Sequence, residues 1–538
     1  MLGVMLDCSR NAVYTKETLF RFIDLLGKMG YDTLQLYTED TYEIEGEPYF
    51  GYLRGRYTAD ELREVDAYCR GRGIELIPCI QTLAHLRTLR RWDHRFGKIM
   101  DQRDVLLVGE EATYELIDKM FAQMAKCFTS RRIHIGMDEA HGLGRGQYLD
   151  KHGVAPRSEI FLSHLCRVCE IAERYGFRPM MWGDMFYHLG TGHPYLAGVE
   201  MTLTDEVKHL VPKNLDLVYW DYYHLEKSGY DLMNRAFAQF DNPILFAGGA
   251  WMWRGYAPLN AFSFRTTRAA LASCREFGIR DILMTMWGDD GAECSPFSLL
   301  PTLFYAAELS RGNEDMDSIK ERFREVIGED FDDMMALDLP NRPGTPGPKG
   351  DENPCRYALA NDPLRGIHDK TVALGDGKVY ASHARRLRAL AAAGGEFSYL
   401  YRSAAELCAV LEVKYDLGLR LRAAYKAGDR TALAAAGKDC RRAARRLKKF
   451  YLALRDAWMK EKKPHGFEIQ DLRLGGLERR LLHAAELCEQ YLAGELSGIP
   501  ELEEELLHFE GREDRAGVPA SVGFWQASFS PSIVWEGQ

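Results

Sequence analysis

No run of this sequence reaches the roughly 18 uninterrupted apolar residues that a membrane-spanning helix needs. Nor is there a basic, then apolar, leader: Met1-Leu-Gly-Val-Met-Leu-Asp7 meets charge at its seventh residue. Both absences lead to the expectation of a cytoplasmic protein with no membrane partner. Positive charge is in short supply as well. Against 79 Asp and Glu stand 69 Lys and Arg, a net charge of −10, which argues against a surface built for phosphate backbones or anionic lipids. The 12 cysteines form no paired framework, as expected of reduced thiols. Cys166-Arg-Val-Cys169 has metal-ligand spacing, but it lies inside a helical pattern, Leu162 to Tyr175, and no second pair completes a zinc site. No Gly-x-Gly-x-x-Gly follows the first apolar run, so dinucleotide binding loses its usual signature. No glycine-rich loop and helix start accompany the seventh and eighth strands, where a barrel would cradle a phosphate. Neither metal nor organic cofactor is implied.

What is present is a long chain with apolar residues to spare. At 538 residues and 46% hydrophobic composition it has material for two or three domains. Over the first 310 residues a strand, loop and helix pattern recurs. Strand-like runs occupy Gly3–Ser9, Thr33–Thr38, Glu75–Thr82, Arg132–Glu139, Arg178–Met185, Leu215–Tyr222, Ile244–Trp251 and Asp281–Asp289. All but the fifth are followed by a clear helical pattern. Most are apolar throughout rather than alternating, as in a parallel sheet whose outer face is covered. Eight units of this kind predict an α/β fold, a closed (β/α)8 TIM barrel spanning residues 1–312. Residues 313–538 read as an α-helical C-terminal domain, helical at Ala381–Ala392, Ser398–Ala424, Arg430–Lys460, Leu477–Leu492 and Ile499–Phe509. Pro340 to Pro354 reads as an exposed connection, and Ser521–Trp535 as a terminal segment that docks. The basic run Arg441 to Lys449 is expected to be a solvated or salt-bridged helix face.

A barrel enzyme collects its chemistry at the C-terminal ends of the strands. Here those ends carry Asp7, Ser9 and Arg10; Glu39 and Asp40; Gln81 and His85; Asp138 and Glu139; Trp182 and Asp184; Trp220, Asp221 and Tyr222; Trp251 and Trp253; Trp287, Asp289, Asp290 and Glu293. Five of the nine tryptophans fall in these clusters, and indole faces with carboxylates suit a sugar, whose C–H face stacks while its hydroxyls need fixed partners. Within Arg132-Ile-His-Ile-Gly-Met-Asp-Glu-Ala-His-Gly142, strand parity puts His134, Gly136 and Asp138 on one face. Glu139 lies where the strand gives way to a loop and can turn towards the same space. Adjacent acids there suit a proton donor beside an anionic stabiliser.

Leu6-Asp-Cys-Ser-Arg10, His134-Ile-Gly-Met-Asp-Glu139, Pro179-Met-Met-Trp-Gly-Asp184 and Met286-Trp-Gly-Asp289 together resemble glycoside hydrolase family 20, the β-N-acetylhexosaminidases. The resemblance is to the bacterial exo-acting branch with a C-terminal helical domain, and extends through Lys463-Pro-His-Gly-Phe-Glu-Ile-Gln-Asp-Leu-Arg-Leu-Gly-Gly476. It implies release of terminal β-linked N-acetylglucosamine, with N-acetylgalactosamine as a further substrate, from an oligosaccharide or glycoconjugate. The implied nucleophile is the substrate's own acetamido oxygen, through an oxazolinium intermediate. Glu139 would then be general acid and base, Asp138 the group that orients the acetamido N–H, and His85 with Asp40 a relay behind the acid. Arg10 would grip the sugar hydroxyls. Trp182, Trp220 and Trp287 would wall the pocket, and Tyr222 would hold the acetamido carbonyl, with Trp251, Trp253 and Asp289 completing the binding set. Two features depart from the wider family: Ala250-Trp-Met-Trp-Arg254 replaces a Tyr-x-Asp, and Trp287-Gly-Asp289 replaces a Trp-x-Glu. The small α/β domain that many members carry ahead of the barrel is expected to be absent. A homodimer is expected from helical-tailed relatives. A disaccharide-releasing enzyme and a sugar-binding barrel without turnover are the rival readings.

Overall fold

The computed structural model describes residues 1–203, 208, 210–289, 291–347, 349–350 and 352–519. Asp290 and the Ser521–Trp535 segment lie outside the described residues. The chain divides into two compact units. One holds Met1–Ala250, Ser263–Trp287 and Thr302–Gly328; the other holds Trp251–Phe262, Gly288–Pro301 and the chain from Glu329.

In the first unit eight parallel strands close into a barrel in sequence order. They are β1 (Leu2–Asp7), β2 (Thr33–Tyr37), β3 (Glu75–Cys79), β4 (Arg132–His134), β5 (Arg178–Trp182), β6 (Asp216–Trp220), β7 (Ile244–Gly249) and β8 (Ile282–Met286). Closure is made by β1 pairing β8, with Gly3 opposite Leu283, while Gly3 also pairs Thr33 of β2. Alternate side chains face the barrel interior. On β2 these are Gln35 and Tyr37: Gln35 Nε2 meets Met180 Sδ of β5 at 3.4 Å, across the interior. Leu34 and Leu36 take the other parity, towards the helices, and both are buried.

The helices start where sequence signals place them. Thr15 caps helix Lys16–Met29 by accepting from Thr18 N–H, and Thr58 with Glu61 forms a capping box on helix Ala59–Arg70, a device typically adding ~1 kcal/mol. After β5, where no helical pattern was evident, helix Asp184–Thr191 follows directly. Its first residue is buried among polar groups, which breaks the apolar periodicity.

The second unit is helical, built on Tyr380–Ala393, Ser398–Lys414, Leu417–Lys426, Arg430–Glu461 and Glu468–Ala493. Alanines at buried positions of Arg430–Glu461 (Ala436, Ala443, Ala444, Ala453, Ala457) let the neighbouring helices come close, around Leu447, Phe450 and Trp458. The basic run is ion-paired: Arg441 with Glu489, Arg442 with Asp439, and Arg446 with Glu412. The segment expected to be an exposed connection is buried at both ends, with Pro340 inside a 3-10 turn and Pro354 opening helix Pro354–Ala360.

Candidate active site

The site is set by a short strand that stops early. The pattern predicts a strand over Arg132–Glu139, but β4 ends at His134, because Gly136 (φ 71°) and Met137 (φ 72°) turn into the left-handed region. Only glycine fits at 136: a Cβ there would lie 2.0 Å from Gln81 Oε1 and 2.9 Å from Ile80 O. Met137, Glu139 (φ 50°) and His85 (φ 59°) are non-glycine residues in the same disfavoured region. Two such residues after β4, with a third after the neighbouring β3, indicate strain held by surrounding contacts, a feature that clusters at functional sites.

Gln81 supplies those contacts. Wholly buried at the end of β3, it accepts from Met137 N–H at 3.2 Å and donates through Nε2 to Asp138 Oδ1 at 2.8 Å. The same Nε2 lies 3.0 Å from Tyr37 Oη. On its other oxygen Asp138 meets His85 Nε2 at 3.1 Å, and His85 Nε2 lies 3.6 Å from Glu139 Oε2. Burial opposes charge on both groups, yet their attraction outweighs it. Asp138 is held down to about 2 by His85 and Gln81, and His85 is pushed up to about 9, chiefly by Asp138. The pair is therefore an ion pair through neutral pH.

Asp184 stands behind the acids at the start of its helix. Its Oδ2 accepts from Glu139 N–H at 2.9 Å and its Oδ1 from Trp220 Nε1–H at 3.3 Å. Burial, and then the Asp138 charge, push its carboxyl up to about 8. Two buried carboxylates thus share one negative charge, and it rests on Asp138, where the cation is.

Further contacts close a ring around the barrel mouth. Trp220 stacks on Tyr222 (centroids 5.3 Å apart, 24°), and Trp287 Nε1–H donates to Tyr222 Oη at 3.0 Å. Trp287 meets Tyr37 edge-on at 4.7 Å and lies 5.8 Å from Trp182. The Arg10 guanidinium lies 5.6 Å from the Trp287 ring and donates through Nε to Glu39 Oε1 at 2.9 Å. Asp7 shapes the turn that presents Arg10, accepting from Ser9 N–H and Arg10 N–H. His134 is buried and pushed down to about 3 by that burial. Neutral, it accepts from Gly136 N–H at Nδ1, with its ring 4.3 Å from Trp182.

Of the residues singled out from sequence, Arg10, His85, Asp138, Glu139, Trp182, Trp220, Tyr222 and Trp287 come together in this first unit. Asp40 does not reach His85: it pairs with Arg54 at 3.2 Å. The acid after β2 that His85 feels is Glu39. Strand parity explains the correction, since Tyr37 faces the interior and position 39 shares its side. Parity fails for Asp138 because the backbone leaves the extended region at Gly136. Trp251 and Trp253 belong to the second unit, buried and stacked at 4.5 Å, with Arg254 over the Trp251 ring at 5.2 Å. Half-buried Asp289 also belongs there. Gln81, at the strand end before His85, and Tyr37, two residues before Glu39, join the site as residues to which the sequence pattern assigns no role. Among the described residues no cluster of His, Cys, Asp and Glu can hold a metal ion, and no helix is long and apolar enough to cross a membrane.

A family model described as "Glycosyl hydrolase family 20, catalytic domain" matches residues 2–234, and "Glycoside Hydrolase 20C C-terminal domain" matches residues 330–520. A β-hexosaminidase of Vibrio furnissii is 30% identical over 26% of this chain and 28% of its own. Hexosaminidase D of Bos taurus is 23% identical over 44% of this chain and 66% of its own. The chain thus spans less than two thirds of these relatives' length. A solved β-N-acetylhexosaminidase of Bacteroides fragilis is 16% identical, with a TM-score of 0.47, covering 61% of this chain and 70% of that one. With the catalytic-domain model on the barrel and the C-terminal model on the helical region, the chain belongs to glycoside hydrolase family 20.

Proposed function

We propose that the chain is a glycoside hydrolase, a retaining exo-β-N-acetylhexosaminidase that releases terminal β-linked N-acetylglucosamine by substrate-assisted catalysis. One observation carries the reading: adjacent Asp138 and Glu139, joined through His85 on a strained strand end, stand beside a wall of Trp182, Trp220 and Trp287. Both Asp138 oxygens are already engaged, Oδ1 accepting from Gln81 and Oδ2 ion-paired with His85, so this carboxylate is a fixed anion rather than a nucleophile free to reach C1. Its remaining lone pairs suit the acetamido N–H, and its charge offsets the positive charge that grows as the acetamido oxygen attacks C1. Glu139, its side chain 46% exposed, faces outward where a glycosidic oxygen leaves. It donates a proton there, then withdraws one from the water that opens the oxazolinium. The indoles pack the apolar faces of sugar and acetamido group. Tyr222, its phenol oriented by Trp287, is placed to meet the acetamido carbonyl. Arg10 and Glu39, paired and partly buried, offer donors and acceptors to the hydroxyls of the non-reducing end.

N-acetylgalactosamine, differing only at C4, is a second substrate to compare. The twelve cysteines, scattered through the sequence without a paired framework, favour a reducing, cytoplasmic setting. The test is binding of a stable thiazoline mimic of the cyclised intermediate. The expected result is inhibition at least about a hundredfold tighter than by N-acetylglucosamine, as for a reaction-intermediate analogue; binding no tighter than the free sugar overturns the reading.

A further inference from the structure

Two exposed tyrosines and a half-buried tryptophan cluster on the same barrel unit, outside the ring of site contacts. Tyr49 and Tyr52, on the loop after β2, are each 46% exposed. Trp92 ends the 3-10 turn Arg87–Trp92 on the loop after β3. The Tyr49 and Trp92 centroids are 5.3 Å apart, Tyr52 and Trp92 5.4 Å, and the two tyrosines 6.1 Å. Apolar faces in water call for an explanation when they cluster. Here the loop has an inside to use: Phe50, between the two tyrosines, is fully buried against Tyr42. The outward rings are thus not left over from a loop without a core.

The platform is built rather than loose. Glu47, 2% exposed, accepts from Arg95 Nε at 2.9 Å and from Lys119 Nζ at 2.7 Å, which clamps the two loops together. Gly51 (φ 65°) lies so close to the end of β2 that a Cβ would sit 1.9 Å from Asp40 O. Arg54 donates to Asp40 Oδ1 and to the Ser9 carbonyl, beside Arg10. Asp93, next to Trp92 in sequence, has an exposed carboxylate whose Oδ1 pairs with Arg90 Nη1 at 3.0 Å.

Resting on the function proposed above, we infer that Trp92, Tyr49 and Tyr52 bind the pyranose ring on the leaving-group side of the scissile bond. A pyranose presents an apolar C–H face to stack and hydroxyls at its rim for groups such as Asp93. The leaving-group side follows from connectivity: the turn carrying Trp92 begins two residues after His85, whose Nε2 lies 3.6 Å from Glu139 Oε2, the proton donor to the departing oxygen.

The test compares N,N′-diacetylchitobiose with N-acetyl-β-glucosaminyl fluoride, whose leaving group carries no ring. Trp92→Ala should lower kcat/KM for the disaccharide about tenfold, mainly through KM, and leave the fluoride within about twofold. Tyr49→Ser should act in the same direction, and Trp92→Phe should restore most of the loss. Equal losses on both substrates, or none on either, overturn the platform. An aryl N,N′-diacetylchitobioside should yield the monosaccharide first; release of the intact disaccharide overturns the leaving-group placement. If the wild-type chain cleaves neither substrate, the hydrolase reading falls, and the platform is judged by calorimetric titration of N,N′-diacetylchitobiose. Weaker binding by Trp92→Ala then supports it, and equal binding overturns it.

Discussion

Gln81→Leu removes the side chain that ties three parts of the site together. The leucine fills most of the space but donates nothing to Asp138 Oδ1 and accepts nothing from Met137 N–H, bonds of 2.8 and 3.2 Å in the native chain. A hydrogen bond to a buried charge contributes about 1.5–3 kcal/mol. At 1.36 kcal/mol per pH unit, its loss should raise the Asp138 pKa by roughly one to two units. The native value is about 2, because the charged form is favoured; losing a donor disfavours that form, so the shift is upward. If ionised Asp138 is needed for the acetamido step, the acidic limb of kcat/KM moves to higher pH by the same amount, and the plateau falls about ten- to a hundredfold. Gln81→Glu sharpens the test, since it puts a second carboxylate beside Asp138 and should move the limb further up. The assay is kcat/KM for an aryl N-acetyl-β-glucosaminide from pH 3 to 8, with circular dichroism to show that the fold persists. An acidic limb unmoved in both variants, with rates within twofold of native, would refute the idea that Gln81 holds Asp138 as an anion.

Further outcomes follow from the same geometry. Glu139→Gln should slow a disaccharide substrate at least about a hundredfold more than an activated aryl glycoside, because general-acid help matters most for a poor leaving group; equal losses count against the acid role. Gly136→Ala should abolish most activity and cost about 2–4 kcal/mol in denaturant unfolding, since it joins a positive φ to a 2.0 Å clash with Gln81. An unperturbed variant would show that the turn has slack. The His85 imidazole, raised from 6.5 to about 9, lends stability that is complete below pH 6.5 and fades as pH rises to 9. The melting-temperature gap between wild type and His85→Gln should therefore narrow across that interval. A constant gap would mean that His85 is not charged in the folded state.

Much of this fold was legible because the barrel imposes its own grammar. Eight apolar runs separated by helical patterns leave little else to build, and β1 to β8 close in that order. The site was less legible where backbone geometry departs from its element. Gly136 and Met137 end β4 after three residues, which periodicity could not show; Gly136 itself was the signal. Glu39, not Asp40, shares the inward parity that Tyr37 sets, while Asp40 pairs with Arg54. In the helical region, the periodic run Ser398–Ala424 breaks at Asp416, whose carboxylate accepts from Gly375 N–H at 2.9 Å and from Arg420 Nε at 2.8 Å. Conversely, helix Glu468–Ala493 runs through Gly475 and Gly476, each costing about 1 kcal/mol relative to alanine. Buried Gln470 and Leu474, with Arg473 on Glu293 at 3.0 Å, hold that turn helical against its propensity.

Hydrolysis of an aryl N-acetyl-β-glucosaminide beside the matching aryl β-glucoside tests the central claim most directly. The two differ only in the acetamido group that is held to be the nucleophile. The account predicts cleavage of the first and none of the second. Equal cleavage of both would contradict it and require a nucleophile from the protein.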